Sequence, residues 1–281
     1  MTKLQKATGN EQLLALKAAY NHQRNVNNLY LMNEWLQSPE AYQTIFYQDM
    51  GNGMAAFRDE GDFYRVVFAL PVGSCYHFPP LDKELCCDLV EIGGEAAPAK
   101  EYGEDFLFDN GFSLIDCQKQ LRFCCGSQHR QAVKKEESIL RQLRAMHLQY
   151  INAGRGELEE IRRLIRRELG RYDAVLLNER ELEAEAQKNN IVCIKGTNGI
   201  AAAYFFQAAG GRIVVAPAYR GKRLSEMLRM LFIAQERWLD SRENQYDWVR
   251  ADNTPSLRCL FSIGAVATGK VKKRFIRTVE S

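Results

Sequence analysis

Between Arg212 and Leu228 the apolar residues change from an unbroken β-branched run to a helical spacing within a few positions, and this switch constrains the fold more than any other stretch. Ile213, Val214 and Val215 have the composition of a buried strand, and Pro217 removes a backbone donor and ends the ladder. From Leu224 the apolar positions Leu224, Leu228, Leu231, Phe232 and Trp238 recur at three- and four-residue steps, one face of an amphipathic helix. Arg220-Gly221-Lys222 is the turn between them. A helix entered this way leaves its first backbone N–H groups without partners, and such an end binds anions. Arg220, Lys222 and Arg223 add positive charge where the helix dipole favours acids, a pattern that makes sense if a bound phosphate supplies the negative charge. A solvated basic turn uses the same residue types, so the turn alone leaves both readings open.

The stretch Val215-Ala216-Pro217-Ala218-Tyr219-Arg220-Gly221-Lys222-Arg223-Leu224-Ser225 resembles the acyl-CoA-binding motif of the GNAT superfamily of N-acyltransferases, where Val-x-Pro-x-x-Arg-Gly-x-Gly-x-Gly holds the cofactor pyrophosphate. A second element of that family, a strand ending in Asp-Asn followed by a helix and a Gly-Phe turn, is similar to Trp248 to Asn253, Ser256 to Ile263 and Gly264-Ala265. The resemblance implies acetyl-CoA or another acyl-CoA as co-substrate, no metal, and transfer of the acyl group to a primary amine of a small molecule or peptide. It implies a cofactor site made of Ile213, Val215, Arg220, Gly221, Lys222, Arg223, Leu224, Ser225 and Asn253. Three positions depart from the family pattern. Arg223 replaces the central glycine, Ser225 the last Gly or Ala, and Leu260 the tyrosine that protonates the leaving thiolate in many members. Arg223 must therefore fold its side chain away from the phosphates or bind them with it. The general base and acid are unassigned, with Asp252, the acidic segment 179 to 185, Tyr204 and Tyr219 as the candidates. The departures motivate an alternative: a non-catalytic acyl-CoA-binding or scaffold protein of the same fold.

The chain has 281 residues, enough for two units, with 46% hydrophobic and 26% charged residues, a globular composition. A net charge of +3 gives no reason to expect a nucleic-acid partner. Neither a signal-peptide core nor a membrane-length apolar run is present, so a cytoplasmic protein without a membrane partner is expected. The eight cysteines form no paired C-x-x-C motif and the four histidines are scattered, which argues for buried thiols and against a metal site.

The expected fold class is α/β (α+β), with two GNAT-like units, each a mixed, mostly antiparallel sheet flanked by helices: residues 1–130 and residues 131–281. In the first, residues 11 to 36 read as helical with Asn25 to Asn28 interrupting the run, and Tyr42 to Tyr47, Gly53 to Arg58 and Phe63 to Leu70 read as an antiparallel meander. Between Leu70 and Leu85 three prolines leave no room for a cofactor-binding helix, so this unit is degenerate and holds no phosphate turn. Gln128 to Glu137 reads as a polar linker, followed by a helix over 138 to 151. Helices at Glu157 to Leu169 and Glu179 to Gln187, a hairpin across Gly196 to Gly199, and strands at Tyr246 to Ala251 and Val271 to Thr278 complete the second unit.

Overall fold

The run Val66-Val67-Phe68-Ala69-Leu70 has no polar face, and in the computed structural model of the chain it is the centre of β5 (Phe63–Pro71), a strand buried on both sides. The structure describes residues 3–21, 25–36, 40–92, 98–169, 171–172, 179–207, 210–235 and 244–279. Contacts divide the chain into two units, Met1–Lys119 with Gly269–Ser281, and Gln120–Thr268.

In the larger sheet, most of which belongs to the first unit, β1 (Gln5–Lys6), β3 (Ile45–Asp49), β4 (Met54–Asp59), β5, β6 (Glu84–Ile92), β13 (Val266–Arg277) and β7 (Ser113–Cys124) lie side by side in that order. The expected meander is present as β3, β4 and β5, paired antiparallel. Its turns are set by carboxylates: Gly51 N–H donates to Asp49 at 3.0 Å and Gly61 N–H to Asp59 at 2.8 Å. Helix α1 (Asn10–Tyr20) and the short α2 (Met32–Trp35) cover one face, packing Leu13, Met32 and Trp35 on Ile45, Met54 and Val67. The opposite face buries Phe57, Phe68, Phe78 and Phe275 with Leu107 of α3 (Pro98–Asp109).

The helical run over 11 to 36 is interrupted at Asn25 to Asn28 as expected, but the interruption is a strand and the first helix stops before it. That helix ends at Tyr20, and Asn25–Asn27 form β2, antiparallel to β5 with Asn27 opposite Ala69. The reason lies in the next residue. β5 and β6 pair in parallel only from Phe63/Glu84 to Val66/Cys87. Where they part, the fully buried Asn28 donates to the carbonyls of Val66 and Asp88, both at 3.1 Å, and accepts from Phe68 N–H at 2.7 Å. One side-chain amide thus satisfies backbone groups that a continuing ladder would have paired. No helix lies between β5 and β6, as the prolines require. That segment is anchored by Phe78, whose ring meets those of Phe57, Phe68, Phe106 and Phe112 at 5.4–6.2 Å between centroids.

A buried charge cluster ties β5, β6 and β13 together. Asp88 accepts from Arg274 at 2.7 and 3.0 Å and from Arg65 at 3.0 Å, and all three side chains are at least nine-tenths buried. Burial alone would raise the Asp88 pKa, but Arg274, Lys272 and Arg65 together hold it well below the usual carboxylate range. A lowered pKa means that its stabilisation is complete above the ordinary carboxylate value and is lost only as the pH falls through the folded value, under strongly acid conditions. Asp88→Asn leaves two buried guanidiniums undercompensated, and urea unfolding is expected to show a loss of about 3–5 kcal/mol. A loss below about 1 kcal/mol would show that solvent or other acids screen these arginines.

In the second unit β8 (Gln149–Asn152), β9 (Ile191–Gly196), β10 (Gly199–Gln207) and β11 (Gly210–Val215) form an antiparallel sheet in the order β11-β10-β9-β8. Alternation decides what covers it. Val192, Ile194, Ala202 and Tyr204 face α4 (Cys125–Ala145) and α7 (Leu224–Ile233), whereas Ile191, Cys193, Ala203 and Phe205 face α5 (Arg155–Glu168) and α6 (Glu179–Gln187). The strand β12 (Asn244–Arg250) lies beside β7 and leads to α8 (Thr254–Ser262). Trp238, expected on the face of α7, lies outside the described residues.

Two expectations about organisation are corrected. Gln128 to Glu137 is not a linker but the first half of α4, because its charges sit on one face while Gln128, His129 and Ala132 are buried on the other. That helix ends at Ala145, where His147 takes a left-handed conformation (φ 56°). The division at residue 130/131 also differs from the contact boundaries. Residues 120–130 lie in the second unit, and residues from 269 onward lie in the first, where Lys270 to Arg277 pair antiparallel with Ile92 to Leu85. The fully buried Phe275 and the Arg274–Asp88 pair hold this last strand there.

Candidate active site

The strand–turn–helix unit forms as the change of period dictates. β11 pairs with β10 up to Val215, Ala216 N–H donates to Ala201 at 2.9 Å, and Pro217–Tyr219 make a single 3-10 turn. Gly221 then adopts φ +77°, a left-handed conformation that glycine takes without steric cost. Apart from its two chain neighbours, no atom of the described residues lies within 4 Å of the place where a Cβ would stand, so the space in front of this residue is open. Arg223, in the position of the family's glycine, is also left-handed (φ 59°, ψ 23°) and begins α7 with no side-chain cap. The first N–H groups of a ten-residue helix are therefore offered to a ligand rather than to the chain.

They border a cleft of about 890 Å³. Ile213, Val215, Arg220, Gly221, Arg223, Leu224, Ser225 and Asn253 line it, and Lys222 does not. The Lys222 ammonium lies 5.3 Å from the centre of the Tyr219 ring instead. Asn253 also caps α8 by accepting from Ser256 N–H at 3.1 Å, so one residue both starts that helix and faces the cleft. The strand side is open for a topological reason. β11 ends its sheet, β12 belongs to the other, and among the described residues no ladder joins them. What links them is the buried Asp247 of β12, which accepts from Gly211 N–H at 2.7 Å and pairs with Arg229 of α7. The link is near the start of β11 and the cleft is at its end.

The two departures in the turn have local explanations. Arg223 forks onto Glu226 at 2.9 and 2.8 Å, folding its guanidinium along α7 rather than across the helix end. Ser225 places Oγ 3.3 Å from Cys259 Sγ, so a hydroxyl fills the contact between α7 and α8 where a glycine would leave a gap. Burial pushes the Cys259 thiol up, which makes it a packing group rather than a nucleophile. Sequence reasoning missed Glu168, Glu226, Pro255, Ser256, Arg258, Cys259 and Ser262, all cleft residues. Arg220 reaches Glu168, a carboxylate with 10% of its side chain exposed, at the end of α5.

The acid–base candidates fare unequally. Leu260 is buried in the core and supplies no acid. Tyr204 is also buried, edge-on to Phe232 at 4.7 Å, and is absent from the cleft wall, whereas Tyr219 lines it. Asp252 is solvent-exposed and bound by Arg250, whose hydrogen bonds hold its pKa below the usual value; it does not line the cleft. No described residue of α6 lines it either. Among the described residues no group of His, Cys, Asp and Glu is arranged to hold a metal.

No family model and no curated protein matches the chain. Solved structures do. The chain is similar to a GCN5-related N-acetyltransferase from Sphaerobacter thermophilus, with a TM-score of 0.56 and 8% identity over 99% of this chain and 96% of that one. A GNAT-family acetyltransferase from Colwellia psychrerythraea matches at 0.50 and 11% over 98% and 99%, and a Drosophila protein at 0.56 and 12% over the same shares. At such identity the likeness is one of fold. The chain has the mixed α/β fold of GNAT acetyltransferases, and the match runs through both of its units.

Proposed function

We propose that the protein is an acyl-CoA-dependent N-acyltransferase, transferring an acetyl or other acyl group to a primary amine of a small molecule or peptide. The observation that carries this is the uncapped start of α7, opening with the glycine turn and the end of β11 into one cleft. The turn and the first N–H groups of α7 hold the pyrophosphate. A backbone donor around Val215 orients and polarises the thioester carbonyl. The amine, having lost its proton to water, attacks the carbonyl carbon; the C–N bond forms as the C–S bond breaks, and CoA leaves as the thiolate, which takes a proton from water. Asn253, at the head of α8, lines the same cleft as the end of β11. Neither nucleic acid nor a membrane enters this reading. No described helix is long and apolar enough to cross a membrane, and the six thiols described as free are in keeping with a cytoplasmic setting.

We expect no second site in the first unit, and the arrangement of its described residues supports this. β2 and Asn28 occupy the space where β5 and β6 separate, and the segment before β6 is fixed by Phe78 instead of starting a helix. Titration calorimetry with acetyl-CoA is expected to give one site per chain; two would overturn the exclusion of the first unit. Thiol release from acetyl-CoA, followed against a panel of amines, tests the reaction. Release that requires an amine supports catalysis. Tight binding without release across the panel supports the alternative, a non-catalytic acyl-CoA-binding or scaffold protein, a reading favoured by the burial of Leu260 where an acid would stand.

A further inference from the structure

The charged groups along the cleft do not balance, and the imbalance points to one residue. Arg220 is held by Glu168 and Arg223 by Glu226, so both motif arginines face the cleft already paired with carboxylates. Lys222 is outside it. Arg258 also lines the cleft, from the middle of α8, and its exposed guanidinium has no carboxylate or hydrogen-bond partner among the described residues. Its neighbour Cys259 touches Ser225 at 3.3 Å, which sets this part of α8 beside the start of α7. An arginine fork here stands next to the proposed pyrophosphate position, not within the turn that forms it.

We propose that Arg258 binds the 3′-phosphate of the cofactor and makes the cleft selective for CoA over its dephospho form. This rests on the acyl-CoA reading above. The pyrophosphate is met by backbone N–H groups and the dipole of α7, which suit a diester-like anion buried against a helix end. The 3′-phosphomonoester carries nearly two negative charges and three acceptor oxygens, and needs a cation with a fork of donors that no carboxylate occupies. Arg258 is that group.

The experiment is equilibrium binding of CoA and of dephospho-CoA to the full-length wild type, Arg258→Gln and Arg258→Lys, with circular dichroism as the folding control. Wild type should prefer CoA by about tenfold, the scale of one partly exposed charge-assisted contact, and the preference should shrink with added salt. Arg258→Gln should bring the ratio to about one by weakening CoA while leaving dephospho-CoA unchanged, and Arg258→Lys should keep part of it. An unaltered ratio in Arg258→Gln overturns the proposal. So does an equal loss for both ligands, which would put Arg258 on the pyrophosphate. If wild type binds neither ligand, the acyl-CoA reading itself fails, an outcome distinct from both.

Discussion

Gly221→Asp is expected to weaken acetyl-CoA binding by at least about a hundredfold while leaving the protein folded. Two effects act together. The backbone at Gly221 has φ +77°, where aspartate is tolerated better than most residues but still at a cost on the order of 1 kcal/mol. The new carboxylate would then stand before the uncapped end of α7, in the space the pyrophosphate needs. In the free protein an acid at a helix start is favourable, so the strain is partly offset and the fold is kept. With ligand present the same charge opposes two phosphates. Gly221→Asn separates the causes, since it has the same size and tolerates the left-handed conformation without the charge. It should retain most of the affinity. Calorimetry on both folded variants checks this, and unchanged affinity in Gly221→Asp would remove the case for a phosphate at this turn.

That turn was legible because every determinant is local. The change of spacing at Leu224, the proline after Val215 and the glycine at 221 act within a few residues, and the strand, turn and uncapped helix follow from them. Where determinants are distant the sequence misleads. Asn25 to Asn28 reads as a helix breaker, but Asn28 works by joining β5 and β6, some forty and sixty residues away, and no local rule anticipates that. Gln128 to Glu137 looks solvated because half of it is charged, yet lysine, glutamate and glutamine are good helix formers. Burial of Gln128, His129 and Ala132 decides the matter. Glu168 belongs to the cleft only because α5 is brought beside the turn, and no neighbour in sequence marks it; Arg258 lies in the helix that the resemblance picks out, but no motif position singles it out there.

The strand that lines the cleft is tied to β12 by a second long-range contact, and its removal should have the other large effect. Arg229 is 4% exposed, lies between the rings of Phe123 and Tyr204 at 5.0 and 4.9 Å, and is neutralised by Asp247. Burial alone would lower its pKa, but Asp247 keeps it raised, so the guanidinium stays charged in the core. Asp247→Ala strands that charge and also deprives Gly211 N–H of its acceptor. A loss of about 3–5 kcal/mol in urea unfolding is expected. Changing both partners, in Arg229→Met with Asp247→Leu, removes the charge together with its counter-ion and should recover most of that stability. It cannot restore the bond from Gly211 that ties β11 to β12. The double variant should therefore be nearly as stable as wild type but bind acetyl-CoA several-fold more weakly, because the strand that lines the cleft has lost its tether while every proposed phosphate contact remains. A single variant costing less than about 1 kcal/mol would show that Arg229 is reached by water. A stable double variant with wild-type affinity would show that the spacing of the strands does not depend on Asp247.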